Sequence, residues 1–293
     1  PIPLEIIRAV QEGDKDLVEQ WLVDTEAAYV NATLPEALQV GSWFLDGGTV
    51  TLLTLCIVCN GDYTGRLDMP HWGRELQMIA IADYDFQMLA IARMLLEHGA
   101  DANLDNGHGM CPLEYASQHV FRNPLRWFDL LLEFGANPNA TVRARASPSF
   151  DTTLLGKIIS NGGLRMGRKP GQGRAPGQIL GLARALLRAG ARVDSPHNDG
   201  TNPTWVLEQQ RLGLAKWRRR LDLHWKQSDR RGRSHDLDPH FIELSNMITG
   251  VAAAGSFKKW LLRAHMDVLI LRTQMQRGRA ALPPLRRRPR GRD

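Results

Sequence analysis

The stretch LLEHGADAN at residues 95–103 recurs as LLEFGANPN at residues 131–139 and as LLRAGARVD at residues 186–194. In each copy a pair of leucines precedes a glycine and a polar turn. Such leucines anchor the end of an amphipathic helix on a neighbour, and glycine takes the left-handed conformation without a Cβ clash. Each block therefore predicts the end of a helix, and the recurrence predicts a repeat architecture.

A second short pattern precedes each block. It is a small polar residue followed by Leu or Pro, and it occurs at Thr51, Cys111, Thr153 and Asn202. A small polar side chain caps the free N–H groups of a helix start, and Pro is tolerated in the first turn. Each unit is therefore predicted to contain a turn, a helix, a loop, a second helix and a glycine stop. Residues 4–22 fit the same pattern.

Together these helix starts and Leu-Leu/Gly blocks resemble the ankyrin repeat family, whose unit is about 33 residues. The resemblance covers roughly residues 4–210. It implies an all-α fold, an ankyrin-repeat solenoid of helix-turn-helix repeats with short hairpin loops. The expected units are 1–32, 33–103, 104–139, 140–194 and 195–210. Residues 211–277 are expected to form a helical C-terminal cap, with a degenerate repeat that has His265 where glycine should be, and 278–293 a disordered basic tail.

The spacing between helix start and glycine stop varies between units. It is 24 positions from Cys111 to Gly135, but 48 from Thr51 to Gly99 and 37 from Thr153 to Gly190. The longer units predict insertions between their two helices, at residues 61–85 and 161–178. Insertions in repeat proteins map to loops, so both segments are expected to be loops.

Charge is distributed unevenly along the 293 residues. Residues 1–140 hold 20 Asp and Glu but 7 Lys and Arg, and the remaining residues bring the net charge to +6. The acidic and basic halves indicate electrostatic polarity along the molecule. The chain has only three cysteines, an odd number, which argues against a disulfide framework. The longest apolar run, residues 49–59, is too short to span a bilayer. We expect a reducing, cytoplasmic compartment, with a nuclear one as the alternative.

Candidate chemical sites each have a plainer explanation. Cys56 and Cys59 form a CxxC inside a predicted apolar helix, where buried small residues are favoured over a redox or zinc site. His235, Asp236, Asp238 and His240 match no fixed metal-site spacing. The glycine-rich residues 162–170 lack the Gly-Lys-Ser/Thr ending of a phosphate loop. We therefore expect no catalytic activity, no cofactor and no metal.

The ankyrin resemblance implies a scaffold or adaptor that binds a partner protein on hairpin tips and the inner helix face. The matching positions are Asp105, Asn106 and His108 in one hairpin, Arg143 and Arg145 in the next, His197 and Asn198 in the last, and Glu114, Gln118 and Lys157 on the first helices.

The Arg-rich C-terminal half supports an alternative function, the binding of nucleic acid or another anionic surface. The basic runs are residues 216–220, 230–233 and 286–292. Trp217 within the first run and Trp225 after it are candidates for base stacking. An acidic protein partner would use the same charges. The run at 286–292 is also typical of nuclear-entry signals.

Overall fold

The computed structural model describes residues 2–40, 43–45, 48–66, 74–105, 110–119, 123–143, 151–162, 176–194, 203–205, 207–208 and 239–276. The predicted site residues Asn106, His108, Arg145, His197 and Asn198 lie outside these ranges. So do most of the second predicted insertion, the basic runs at 216–220 and 230–233, and the predicted tail.

Helices dominate the described part of the chain. In chain order they are α1 (Leu4–Glu12), α2 (Lys15–Asp24), α3 (Leu52–Arg66), α4 (Arg74–Glu97), α5 (Pro112–His119), α6 (Pro124–Glu133), α7 (Leu154–Gly162), α8 (Pro176–Arg188), α9 (Pro239–Ala254) and α10 (Phe257–Gln276). The described residues also form two antiparallel strand pairs, β1 (Leu38–Val40) with β2 (Trp43–Leu45) and β3 (Thr141–Arg143) with β4 (Asp151–Thr153). The predicted all-α class is confirmed.

Consecutive helices pack in pairs: α1 with α2, α3 with α4, α5 with α6, α7 with α8, and α9 with α10. The pairs then contact one another, because α3 packs against both α1 and α5, α2 packs against α4, and α6 packs against α8. Helix α8 also contacts α9 and α10. One cluster of buried apolar side chains extends through the pairs, from Ile2 to Phe257. Each pair thus buries its apolar side mainly against its neighbours.

Glycines end the second helices as the sequence predicts. Gly99, Gly135 and Gly190 have φ values of 91°, 82° and 97°, in the left-handed region. The N–H of the residue after each glycine donates to the carbonyl oxygen of the first leucine of the block, at 2.9 Å in all three cases. Those leucines are fully buried: Leu95, Leu131 and Leu186. Each block therefore combines a left-handed glycine turn with a leucine that is buried in the core.

Threonine hydroxyls cap the first helices of two units, also as predicted. Thr51 Oγ1 accepts from the N–H of Thr54 at 3.3 Å, at the start of α3. Thr153 Oγ1 accepts from the N–H of Gly156 at 3.2 Å, at the start of α7. Each cap satisfies a backbone donor that has no partner within its helix. Thr153 is the last residue of β4, and Thr51 forms an isolated bridge with Thr33. Each cap therefore lies where an extended segment ends and its helix begins.

The prediction of a loop at residues 61–85 is wrong, because most of this segment is helical. Helix α3 continues to Arg66, and α4 begins at Arg74. The spacing between Thr51 and Gly99 suggested a loop, but the extra residues lengthen both helices. The isolated glycines of residues 61–65 cost a helix only about 1 kcal/mol each. The sequence of α4 contains neither Gly nor Pro and is rich in Leu, Met, Ala and Gln, which favour helix. Asn60 Nδ2 donates to Asp85 Oδ1 at 2.9 Å and joins the two helices.

The C-terminal pair differs from the degenerate repeat expected around His265. Helix α9 begins at Pro239. Helix α10, however, runs through His265 without a break, from Phe257 to Gln276. The left-handed glycine is Gly255, which precedes α10, and Ser256 Oγ accepts from the N–H of Lys259 at 3.2 Å. No Gly or Pro lies within α10 to end it earlier.

Candidate partner-binding surface

Asparagine side chains connect each polar turn to the next one along the chain. Asn31 Nδ2 donates to the carbonyl oxygen of Gly99 at 3.0 Å, and Asn31 Oδ1 accepts from the N–H of Asp101 at 2.7 Å. Two further asparagines make the same pair of bonds: Asn103 to Gly135 and Asn137, and Asn139 to Gly190 and Arg192. We call Asn31, Asn103 and Asn139 the asparagine ladder.

The geometry of the ladder places successive turns in register. Each asparagine bonds the glycine carbonyl and the N–H two positions beyond it, so a slip of one residue would lose both bonds. Asp101 Oδ1 accepts from the N–H of Asn103 at 2.8 Å, and Asn137 Oδ1 accepts from that of Asn139 at 2.9 Å. These local bonds hold the side chains that make the ladder. The block ends in Asn at two of its three copies, so the recurring Asn was visible in the sequence, although its role was not assigned.

Three predicted contact residues form one cluster across two first helices. Glu114 and Gln118 lie on α5, and Lys157 lies on α7. Gln118 Nε2 donates to Glu114 Oε1 at 2.7 Å, and Lys157 Nζ donates to the same oxygen. A charge-assisted hydrogen bond of this kind is stronger than a neutral one. The cluster therefore fixes α7 against α5 and orders the two donor side chains.

The three members of this cluster differ in how far they are buried, and therefore in what they can contact. Glu114 is 1% exposed, so its carboxylate does not offer a direct contact to a partner, in contrast to the expectation. Gln118 and Lys157 are partly exposed and remain within reach of a partner. A buried carboxylate is costly without a cation and hydrogen-bond donors. Glu114 thus acts as the anchor that positions Gln118 and Lys157 at the surface.

Two further predicted residues follow ladder asparagines in the sequence. Asp105 is exposed and follows the ladder residue Asn103 by two positions. Arg143 is in β3, where it lies opposite Asp151 of β4 in the antiparallel register. The structure thus places these two residues at the ends of successive polar turns that the ladder joins.

A cleft of about 390 Å³ lies between α4 and α6, on the second helices. Its apolar lining is Phe86, Leu89, Ala90 and Leu130, and its charged lining residues are Arg93, Arg126, Asp129 and Glu133. This site was missed in the sequence because the preceding segment was expected to be a loop. The signal was present as apolar residues 86, 89 and 90, which share one helix face.

An exposed ion pair crosses this cleft. Arg93 Nη1 and Nη2 donate to the two carboxylate oxygens of Glu133, at 3.2 and 2.8 Å, and the guanidinium lies 5.6 Å from the ring centroid of Phe134. These hydrogen bonds raise the pKa of Arg93 and lower that of Glu133. Both side chains are exposed and solvated, so the pair orients the cleft edge more than it stabilises the fold.

The cysteines are buried, as the sequence predicts for the CxxC. Cys56 and Cys59 lie within α3, and Cys111 lies directly before α5; all three are free thiols. Burial raises the pKa of Cys56 well above its ordinary value, and the neighbouring Cys59 raises it further. Burial also raises the pKa of Cys111. A protonated, buried thiol is a poor nucleophile and a poor metal ligand.

Within the described ranges, no group of three or more His, Cys, Asp and Glu side chains is arranged to hold a metal ion. Of the four residues in the rejected metal cluster, only His240 lies in these ranges. None of the helices in the same ranges combines the length and the apolar content needed to cross a membrane.

A scan of the chain against protein-family models finds no match, and a search among curated proteins finds no significantly similar relative. Its function must therefore be argued from its own residues.

Proposed function

We propose that the chain is a non-catalytic protein-interaction scaffold, built as an ankyrin-type solenoid, that binds a partner protein on its hairpin tips and inner helix face. The observation that carries the proposal is the asparagine ladder. Three asparagines repeat one bonding pattern across four turns, which is what a stack of equivalent units requires. Stacked units with a shared core present an extended, continuous surface.

Rigidity supports binding as the role of this surface. When a partner docks on turns that are already ordered, the scaffold does not have to order a loop. Less conformational entropy is then lost on binding, so more of the contact energy appears as affinity. Asp105 and Arg143 follow two neighbouring turns that the ladder joins. The Glu114 anchor fixes Lys157 and Gln118 on the adjoining helix face. Acidic, basic and amide groups are thus held in defined positions.

The described geometry contains nothing that favours catalysis over binding. The buried thiols are protonated, and the Glu114–Lys157 pair is closed by mutual hydrogen bonds. A general acid or base needs access to a substrate proton, which a carboxylate 1% exposed does not have. The cytoplasmic or nuclear location stays a prediction, as does the identity of the partner.

The test begins with affinity capture by the intact chain and continues with titration of each captured protein. We expect one partner to bind at a 1:1 ratio and to tolerate moderate salt. Asp105→Arg and Lys157→Glu should weaken that binding, whereas Arg188→Glu, an exposed change on a second helix, should not. Equal affinity for all variants would contradict a site on the hairpins and first helices.

The alternative function is the binding of nucleic acid or another anionic surface. It is favoured by α10, whose exposed face carries Lys258, Lys259, Arg263 and Arg272. It predicts affinity for a nucleic-acid duplex that falls steeply with salt, because binding releases counterions. A truncation that removes residues 278–293 should then weaken binding, while the Asp105 variant should have no effect. The salt series therefore separates the two functions.

A further inference from the structure

Helix α10 leaves the body of the protein soon after it begins. Phe257 is buried and its ring lies 5.5 Å from that of Trp260, which packs against the core. Every side chain from Leu261 to Gln274 is exposed. Seven of them are large and apolar: Leu261, Leu262, Met266, Val268, Leu269, Ile270 and Leu271. So many contiguous apolar side chains mark an interaction site.

The arrangement of these side chains indicates what kind of surface they fit. Leu261, Val268 and Leu271 continue the face of the buried Phe257, at successive spacings of four, seven and three residues. Leu262, Met266 and Leu269 lie on the opposite side, and charged residues separate the two stripes. A helix on a lipid surface needs one broad apolar face opposite a polar face. Two narrow stripes instead suit packing against other helices.

The charge of α10 indicates which kind of helix could pack against it. Helix α10 has four Lys and Arg but a single Asp, a net charge of +3. Two copies of α10 would therefore repel each other. The complementary charge is at the other end of the chain, where residues 4–24 contain six carboxylates and two basic side chains, a net charge of −4. Opposite potentials of this kind steer and orient association.

The acidic end also offers exposed apolar side chains. Helix α2 buries Val18, Trp21 and Leu22, while Leu17 and Val23 are on its solvent side. Asp16, Glu19 and Asp24 are exposed beside them. We call this surface of α1 and α2 the acidic end face. Its composition, apolar side chains among carboxylates, complements the apolar and basic side chains of α10.

We propose that α10 of one copy of this chain docks on the acidic end face of a second copy. The contact is heterologous, because the two surfaces are different parts of the same molecule. Each copy in a pair then keeps one surface free, and further copies add until a ring closes or an open assembly results. This inference does not depend on the proposed partner-binding function, which uses other residues.

The test uses sedimentation velocity on the full-length chain over a wide range of protein and salt concentrations. The wild-type mass should rise with protein concentration and fall with added salt, since the charges lie at the rim of the contact. Val268→Asp places a carboxylate opposite the acidic end face, and Val23→Lys places an amine opposite α10. Both valines are 62% exposed, so both variants should fold. Each should associate about tenfold more weakly than wild type.

Mixing the two variants gives the decisive result. The Val23→Lys copy retains an intact α10, and the Val268→Asp copy retains an intact acidic end face. Together they should associate more strongly than either variant alone, because the intact α10 of one copy can dock on the intact acidic end face of the other. Phe86→Lys changes an equally exposed side chain elsewhere and should associate like wild type. The proposal is overturned if the wild type is monomeric throughout, if the mixture does not pair, or if Val23→Lys associates like wild type, which would indicate pairing between two α10 helices.

Discussion

Asn103 donates through Nδ2 to the carbonyl oxygen of Gly135 at 3.0 Å, across 32 positions of sequence. The same side chain accepts through Oδ1 from the N–H of Asn137 at 2.6 Å. One amide therefore satisfies a backbone acceptor and a backbone donor of the next turn. Asn103 has a rung of the ladder on each side of it, so its loss affects the middle of the array.

We expect Asn103→Ala to destabilise the protein by about 1–2 kcal/mol, because two hydrogen bonds to the backbone are lost and each contributes roughly 0.5–1.5 kcal/mol. Asn103→Asp keeps the acceptor but loses the donor, so its cost should be intermediate. Urea unfolding followed by circular dichroism gives both values. An alanine variant as stable as wild type would show that the ladder does not hold the turns together.

Removing either member of the Glu114–Lys157 pair should have unequal effects. Lys157→Met leaves a carboxylate that is 1% exposed without its ammonium partner, and we expect a cost of about 2–4 kcal/mol. Glu114→Gln leaves a lysine that can turn to solvent, since its side chain is 15% exposed, so the cost should be smaller. Combining the two changes should cost less than their sum. Additive costs in this double-mutant cycle would rule out direct coupling.

Gly250 provides a test of how α10 is attached to α9. A Cβ at this position would collide with the indole of Trp260, so Gly250→Ala should displace the ring and cost about 1–3 kcal/mol. Gly181→Ala is the matched control, because its Cβ would meet only the flexible end of Leu125. The control should cost less. Thermal unfolding ranks the two variants, and an equal loss in both would argue against close packing at Trp260.

Stability should fall as the solution becomes alkaline. The folded-state pKa values of Cys56 and Cys111 are raised above the ordinary value of 9.0. The unfolded chain then loses protons near pH 9 while the folded chain keeps them, so the free energy of unfolding decreases from that pH upwards. Below it, both states are protonated and the effect vanishes.

The measurement is the urea midpoint at about pH 8 and about pH 10, on either side of the ordinary thiol pKa. The midpoint should fall in the wild type and fall less in Cys111→Ser, which removes one of the two thiols. The comparison between the two pH values within each variant cancels the packing cost of the substitution itself. An unchanged drop in the variant would exclude a contribution from Cys111.

Local features of this fold were predictable from the sequence, because their causes lie within a few residues. Gly99 ends a helix through its own backbone freedom, and Thr51 caps one through a hydroxyl three positions away. The extent of α3 and α4 was not predictable, since helical packing outweighs the cost of the glycines near residue 61. The continuous course of α10 through His265 was not predicted either, and no Gly or Pro there opposes a continuous helix.

The candidate site was predictable as a set of positions but not as an arrangement. Glu114 and Lys157 are 43 positions apart, and only the packing of α7 beside α5 brings them together. Burial then reverses the expected role of Glu114, from a contact residue to an anchor. The cleft between α4 and α6 depends in the same way on two helices whose lengths the sequence left open.

Each asparagine of the ladder, here called a rung, offers one amide donor and one amide acceptor to the backbone of the next turn. The bonds use only backbone atoms of that turn, so they do not depend on its side chains. A gene segment that encodes one rung-to-rung interval can therefore be duplicated or deleted without stranding an amide at the new junction. Lineages of such a protein are free to vary in the number of units, and hence in the length of their surface, while every junction keeps its chemistry.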